Sequence, residues 1–486
     1  MTQQVTDPPD QNQNERRVSQ PLSEPRFRLT RAGIISLLVL TGLLLLTFSG
    51  ELVYSLVQTA QKAQIVAAQT ATPAQSPQPS PTSKHSGTST PTGTPVPQAS
   101  LNATSPISVP GHAGAPPLQL SGSQYVVYEQ NNTLYLVSAT GDYAQVIPTQ
   151  GFISNNAAPP ILMPTGQLLY SGDGIWMTDV FGGTPTQIAP LDAGQVITSM
   201  ALSSDGKMLA WSTEPANGAG MLVIHAGPLT NPAIVYQQSA LNCPCFRVFS
   251  FMNGTSAQAD TTLLLTDDRG SHQAIQNGLW SLDISATPAK LQPILTEDPA
   301  QGPLVLTPFG NTLLYSSDIG TVPDPTDKSV PPDVAALSYA NSLSITTLNG
   351  SPPTTGQTQI VLPEQDNLSN SAGDHWGTTP VFSPDTHTLA YVEFSSDNQE
   401  PYDRHSAIYT VQISGSGAQL RVGKPQLLAT TTSQLVELGP WYNNHILTIY
   451  ADGTLYALDT QSGSLTTFAR PSSYARIVAV VGFAGT

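Results

Sequence analysis

From about residue 120 to the C-terminus, short apolar runs recur behind polar turns, and their spacing predicts strands and not helices. Leu162–Tyr170, Leu202–Trp211, Leu306–Tyr315 and Phe382–Tyr391 share one plan: strand, tight turn, then a strand carrying Leu-Leu-Tyr, Leu-Ala-Trp or Leu-Ala-Tyr. A second pattern follows after a variable gap, at Thr133–Leu136, Gly174–Met177, Gly278–Asp283, Ala407–Val411 and Thr454–Asp459. Its alternation of large apolar with smaller residues predicts half-buried strands. A turn and a weaker fourth strand close each unit, as in Gly182-Gly183-Thr184-Pro185-Thr186-Gln187-Ile188.

Units counted this way begin near residues 120, 158, 196, 246, 302, 378 and 435. Four antiparallel strands per unit, repeated around a ring, predict an all-β, seven-bladed β-propeller over residues 118–486, with six blades as the rival count. Ala475–Val481 remains as a lone strand after the seventh unit. It is expected to supply the inner strand of the first blade and remove the open edge.

The one long apolar run is of another kind. Ala32–Gly50 carries no charge, and Leu52, Val53, Tyr54, Leu56 and Val57 prolong it past Glu51. At about 1.5 Å per residue it is long enough to cross most of a bilayer as a helix. Arg26, Arg28 and Arg31 precede it and no basic residue follows before Lys62, so the positive-inside rule puts the N-terminus in the cytosol. The expectation is one transmembrane helix at 32–57, an uncleaved signal anchor in the cell membrane with the propeller extracytoplasmic. A cleaved signal peptide is the competing reading, against which stands the long polar stretch before the apolar core. Residues 1–31 lack the apolar content for a core and are expected to be a disordered cytosolic tail. Residues 58–117, with Ser76-Pro77-Gln78-Pro79-Ser80-Pro81-Thr82, read as a Pro/Ser/Thr-rich flexible stalk.

Composition adds constraints on partners. The chain of 486 residues holds 17 Lys and Arg against 33 Asp and Glu, for a net charge of −16, and five of the arginines precede the apolar run. A nucleic-acid partner needs a basic surface, so none is expected. The two cysteines, Cys243 and Cys245, flank Pro244. In an extended Cys-Pro-Cys segment their separation is near the upper limit of disulfide geometry, so two unpaired thiols are expected, with a local disulfide as the alternative. No cofactor is called for.

The Ser-Asp-Gly or Ser-Pro-Asp turn followed by Leu-Ala-Trp or Leu-Ala-Tyr, at Ser203–Trp211 and Ser383–Tyr391, resembles the WD-like repeats of TolB-type propellers. The resemblance covers about residues 120–486. It implies the fold and leaves the activity open, because that family includes secreted and periplasmic binding proteins as well as propeller halves of peptidases.

Length variation is concentrated at one end of the units. Loops between second and third strands, and from a fourth strand to the next first strand, are the longest: 317–341, 363–379 and 393–406, then 213–220, 238–247 and 267–277. A face bearing the insertions is expected to be the binding face. Its candidate ligand residues are Asp374, His375 and Trp376, just before the inner strand of blade 6, with Tyr402, Asp403 and Arg404 in the third loop. Acids and aromatics together suit an unidentified protein, peptide or saccharide. The P-loop, Rossmann glycine, His-Glu-x-x-His and Gly-x-Ser-x-Gly patterns are missing from the sequence, and Ser414-Gly415-Ser416-Gly417 reads as a turn. No metal site or catalytic residue is assigned. The expected function is a binding or scaffolding module. The alternative is a carbohydrate-active or other hydrolytic propeller using paired channel carboxylates, which motif search does not detect.

Overall fold

The computed structural model describes residues 105–482 apart from 113–114, 121–123, 155–157, 242–243, 253–260, 269–275, 297–299, 308–311, 317–318, 324–335, 341, 364–373, 397–403 and 434. The expected tail 1–31, the anchor 32–57 and most of the stalk 58–117 lie outside the described residues. Among the described residues no helix is long and apolar enough to cross a membrane.

The chain is an all-β, seven-bladed propeller. The first strands of blades 2 to 7 are Ile161–Leu162, Gln195–Leu202, Phe246–Phe251, Gln301–Leu306, Asp374–Phe382 and Val436–Trp441. Blade 1 takes its first strand from the C-terminus: Arg476–Gly482 pairs antiparallel with Gln124–Gln130, Val480 opposite Val126. The ring closes as the sequence predicted. Besides packing face to face, blades 4 and 5 share one backbone rung, Asn277 opposite Gln301, which links their ladders into one sheet.

The triplets that mark each second strand follow from this geometry. A second strand lies between neighbouring blades and is covered on both faces, so its apolar residues run consecutively and do not alternate with polar ones. Leu209 and Trp211 pack between blades 2 and 3 while Ala210 packs between blades 3 and 4. Leu389 and Tyr391 face blade 5 while Ala390 faces blade 7. The third strands, expected half-buried, are also packed on both faces: Leu134 and Leu136 are fully buried on the blade 2 side, and Tyr135 packs toward blade 7. Each fully buried Leu contributes about 1.5–3 kcal/mol of transfer free energy.

In blades 3 and 6 the turn before the triplet is held by one serine and one aspartate. Ser203 Oγ donates to Asp205 Oδ1 at 2.7 Å and accepts from the Met208 amide at 2.9 Å, while the Lys207 amide donates to Asp205 at 3.0 Å. Blade 6 repeats this with Ser383, Asp385, His387 and Thr388 at 2.6, 2.9 and 3.1 Å. Gly206 takes φ +73 in the first turn; Thr386 holds the same place at φ +63, a conformation that disfavours a β-branched residue.

Three elements depart from expectation. Loop 317–341 contains a hairpin, Ile319–Pro323 with Ala336–Ala340, whose Ala340 pairs with Gly377 of blade 6. The outer loops around it are shorter than expected, because the strands of blade 6 run on to Ser396 and begin at Asp374 and Arg404. Finally, Ile107–Ser108, inside the segment read as stalk, adds a fifth strand to the outer edge of blade 6, Ile107 opposite Thr431 and Ser108 opposite Thr430. Ile107 is buried with Val392, Ile408 and Ala429 against blade 7, and Leu118 and Leu120 pack between blades 7 and 1.

Cys245 is disulfide-bonded, which corrects the expectation of unpaired thiols; Cys243, the other cysteine of the sequence, lies outside the described residues. Pro244 and Cys245 are not part of a strand, so the extended geometry behind that expectation is not imposed there.

Candidate functional site

Antiparallel order puts the connections from second to third strand, and from fourth strand to the next first strand, at one end of every blade. The described strands that flank segments 317–341, 363–373 and 397–403 meet that end in blades 5 and 6. Asp374, His375 and Trp376 open its first strand and Arg404 opens its third. The register brings them onto shared rungs across the second strand: Asp374–Ser396–Arg404, then His375–Ser395–His405, then Trp376–Phe394–Ser406. Tyr402 and Asp403 lie outside the described residues.

Beside these rungs is a cleft of about 460 Å³ on the blade 6 sheet, lined by Glu393, Ser395, His405, Tyr409 and Thr430, and by Pro106 and Ser108 of the added N-terminal strand. Alternation explains the lining. Val392, Ile408, Ala429 and Ile107 enter the core against blade 7, so Glu393, Tyr409, Thr430 and Ser108 stand on the other face of the sheet. Glu393 shares one rung with Gly377, Ala407, Thr430 and Ser108. A Cβ at Gly377 would stand 3.0 Å from Leu362 Cδ2 and 3.2 Å from Leu343 Cδ1, so blade 5 closes directly on that strand. Tyr409 stacks on the fully buried Tyr391 with centroids 5.7 Å apart. Burial raises the pKa of both hydroxyls, and the charge of Glu393 adds to the shift.

Elsewhere at this end the charged groups hold blades together. Glu129, almost fully buried, forms an ion pair with Arg476, its partner in the closing ladder. Tyr474 donates to Glu437 at 2.8 Å. Burial raises the Glu437 carboxyl, against the lowering influence of that hydrogen bond and of Arg476. Gln130 reaches Ser472 and Ser473 in the same seam. Between blades 3 and 4, Arg247 stands 3.9 Å from Glu214, and Ser199 accepts from the Val248 amide at 2.7 Å. A second cavity, about 530 Å³, is lined by residues of the first strands of blades 5, 6, 7 and 1, among them Val305, Val381, Leu438 and Ile477, and no charged residue lines it. Among the described residues no group of three His, Cys, Asp or Glu side chains could hold a metal ion.

Residues 374–376 and 404, singled out from the sequence, fall on blade 6, the blade that bears the cleft; the sequence did not single out Glu393, Tyr409 or the strand 107–108. Glu393 had a signal: it interrupts an apolar second strand, Leu389 to Phe394, where its neighbours on both sides are buried.

No family model and no curated protein matches the chain. Solved structures match it at low identity. The periplasmic gluconolactonase of Pseudomonas aeruginosa is 14% identical, with 74% of this chain and 99% of that chain covered and a TM-score of 0.42. An oligogalacturonate lyase of Vibrio parahaemolyticus is 13% identical over 73% and 88%, with a TM-score of 0.41. A putative TolB of Agrobacterium tumefaciens is 13% identical over 64% and 92%, with a TM-score of 0.32. The chain is therefore a seven-bladed propeller by its own strand order. It resembles the TolB-type propellers in fold, as its repeat turns indicate, and the activities named for those proteins are theirs.

Proposed function

We propose that this protein is a binding or scaffolding propeller, anchored in the cell membrane by one helix at residues 32–57 and displaying its loop-bearing end outside the cytosol. The observation that carries the binding role is the cleft of the blade 6 sheet lined by Glu393, His405 and Tyr409, on the blade whose strands are joined by two of the longest connections in the sequence. Insertions at one end of a repeat architecture cost the fold little and leave side chains available for a ligand. Asp374, His375, Trp376, Tyr402, Asp403 and Arg404 are the proposed ligand residues. The carboxylates Glu129, Glu214 and Glu437 hold blade seams, and the cavity among the first strands is apolar, which favours binding over hydrolysis by channel acids.

The test is a ligand screen on the full chain in detergent micelles, read by thermal shift and mapped by hydrogen exchange. A ligand that raises the melting temperature and protects segments of blade 6 supports the reading. Protection confined to another blade, or turnover of an oligosaccharide, would overturn it. For the anchor, the protein should stay with membranes after alkaline carbonate washing, with its N-terminus protected from external protease; release into the wash removes that part of the proposal.

A further inference from the structure

A third cleft lies away from blade 6, on the seam between blades 2 and 3. Its volume is about 340 Å³, at the lower end of the ~300–1,000 Å³ usual for small-molecule sites. One wall is the outer strand of blade 2 and the connection after it, Ile188 to Asp192; the other is the blade 3 sheet, with Gln195, Trp211, Thr213 and His225. The turn Thr230–Pro232 adds to the lining. A Cβ at Gly227 would stand 3.1 Å from Pro232 Cα and 3.2 Å from the Asn231 carbonyl oxygen, so this turn folds back directly on the third strand. We propose that the cleft is a binding site for a neutral saccharide unit, a ring with hydroxyls along its edge and C–H groups on its face. This site and the blade 6 cleft are independent, and neither needs the other.

The case begins with an acceptor that lacks a donor. Gln195 opens the first strand of blade 3, opposite Pro215, and its side-chain Oε1 is buried without a hydrogen-bond partner among the described residues. Buried polar atoms are almost always paired, so this oxygen calls for a donor from outside the chain. His225 lies opposite Trp211 in the ladder and stacks on its indole, with centroids 4.6 Å apart and planes 3° from parallel. Burial lowers the pKa of His225, against the pull of Asp192. At neutral pH the imidazole is therefore uncharged, with one nitrogen donating and the other accepting.

Charge narrows the ligand. No lysine or arginine lines the cleft, and Asp192, exposed to solvent, is the one ionised group among the residues that do. Lys207, whose carbonyl holds the Leu229 amide at the base of the turn, places its ammonium 2.8 Å from Asp205. An anion would meet Asp192 with nothing in the lining to offset it. A cation would find its only counter-charge at an exposed carboxylate, where an ion pair contributes little, and would offer the imidazole N–H nothing to donate to. Hydroxyls both donate and accept, so a sugar ring suits Gln195 Oε1, the His225 nitrogens and the Thr213 hydroxyl together. Ile188, Leu191 and Pro232 supply apolar contact for its C–H groups.

The experiment uses the full chain in micelles of a non-glycosidic detergent. Methyl glucoside, methyl galactoside and methyl mannoside are the probes, with glucuronate and agmatine as charged comparisons. At least one hexoside should bind by titration calorimetry, more tightly than either comparison, and should slow amide exchange within 188–195 and 223–233. Gln195→Leu removes the unpartnered acceptor and should lose about 10- to 100-fold in affinity for that hexoside while keeping or raising the melting temperature. His225→Phe keeps an aromatic ring on Trp211 and should lose about tenfold. A purely structural role for Gln195 would instead lower the melting temperature and spare affinity. Binding by none of the three hexosides, tighter binding of glucuronate or agmatine, affinity unchanged by either variant, or slowed exchange only outside blades 2 and 3 overturns the proposal. The blade 6 reading is decided separately, by protection of that blade in the broader screen.

Discussion

Removing the Arg476 side chain tests the closure of the ring most directly. Arg476 begins the C-terminal strand and pairs with Glu129, whose side chain is only 5% exposed. In Arg476→Met the carboxylate keeps its burial and loses its guanidinium, a change that costs about 3–5 kcal/mol when one partner of a buried pair is deleted. The double variant Glu129→Gln/Arg476→Met removes the charge as well and should recover most of that loss, giving a coupling of roughly 2 kcal/mol or more. Urea unfolding followed by tryptophan fluorescence reads all of this, since Trp441 and Trp211 are buried in the ring. A deficit under ~1 kcal/mol, or no rescue by glutamine, would refute the assignment of this pair as a buried latch.

Three other outcomes follow from the same geometry. Glu437→Gln should raise the melting temperature at pH 7 and leave it unchanged near pH 4: the folded carboxyl is raised by burial, so its contribution is full below the unfolded value and lost as pH rises; a pH series of scanning calorimetry checks this. Ser203→Ala should cost about 1–3 kcal/mol in urea unfolding, because it leaves the Met208 amide without its acceptor. Its partner Asp205 is drawn down to about 2 by Lys207 and Ser203, so the turn's contribution should persist above pH 3.8 and fade only as pH falls toward 2. Thr386→Gly should be neutral or stabilising by up to about 1 kcal/mol, since glycine adopts φ +63 freely, whereas Gly206→Ala should destabilise, its new methyl meeting Pro164 Cδ at 3.0 Å as well as the positive φ.

What the sequence made legible was whatever the repeat expressed locally. Ser203–Trp211 and Ser383–Tyr391 carry turn chemistry and a triplet buried from both sides, so blade number and starting points were readable without coordinates. The closing strand was readable because Ala475–Val481 was left over once the units were counted. The site was harder, because its parts are far apart in sequence. Ser108, Glu393 and Thr430 share a rung only after four strands are ordered side by side. The strand 107–108 was hidden for another reason: two residues beside Pro106 and Pro110 give no periodic signal, and only pairing with Thr430 and Thr431 makes them a strand.

The two ends of the propeller sequence act on the two blades that flank blade 7. The C-terminal strand pairs with the second strand of blade 1, and the N-terminal strand joins the outermost strand of blade 6. From blade 6 the chain passes along blade 7, where the Leu118 amide donates to the Leu465 carbonyl, and Leu118 and Leu120 enter the seam between blades 7 and 1. Blade 7 is thus held on both sides by residues distant in sequence. A ring closed only by an inner strand opens when that strand frays; here fraying of Arg476–Gly482 leaves the outer strap bridging the same seam, and the reverse also holds. Closure by independent contacts makes their contributions additive only while both are formed. Loosening of the strap should therefore raise local exchange in blade 6 before it alters blade 1. That order would place the strap and the cleft it lines in one low-stability region, where a ligand has the most stability to add.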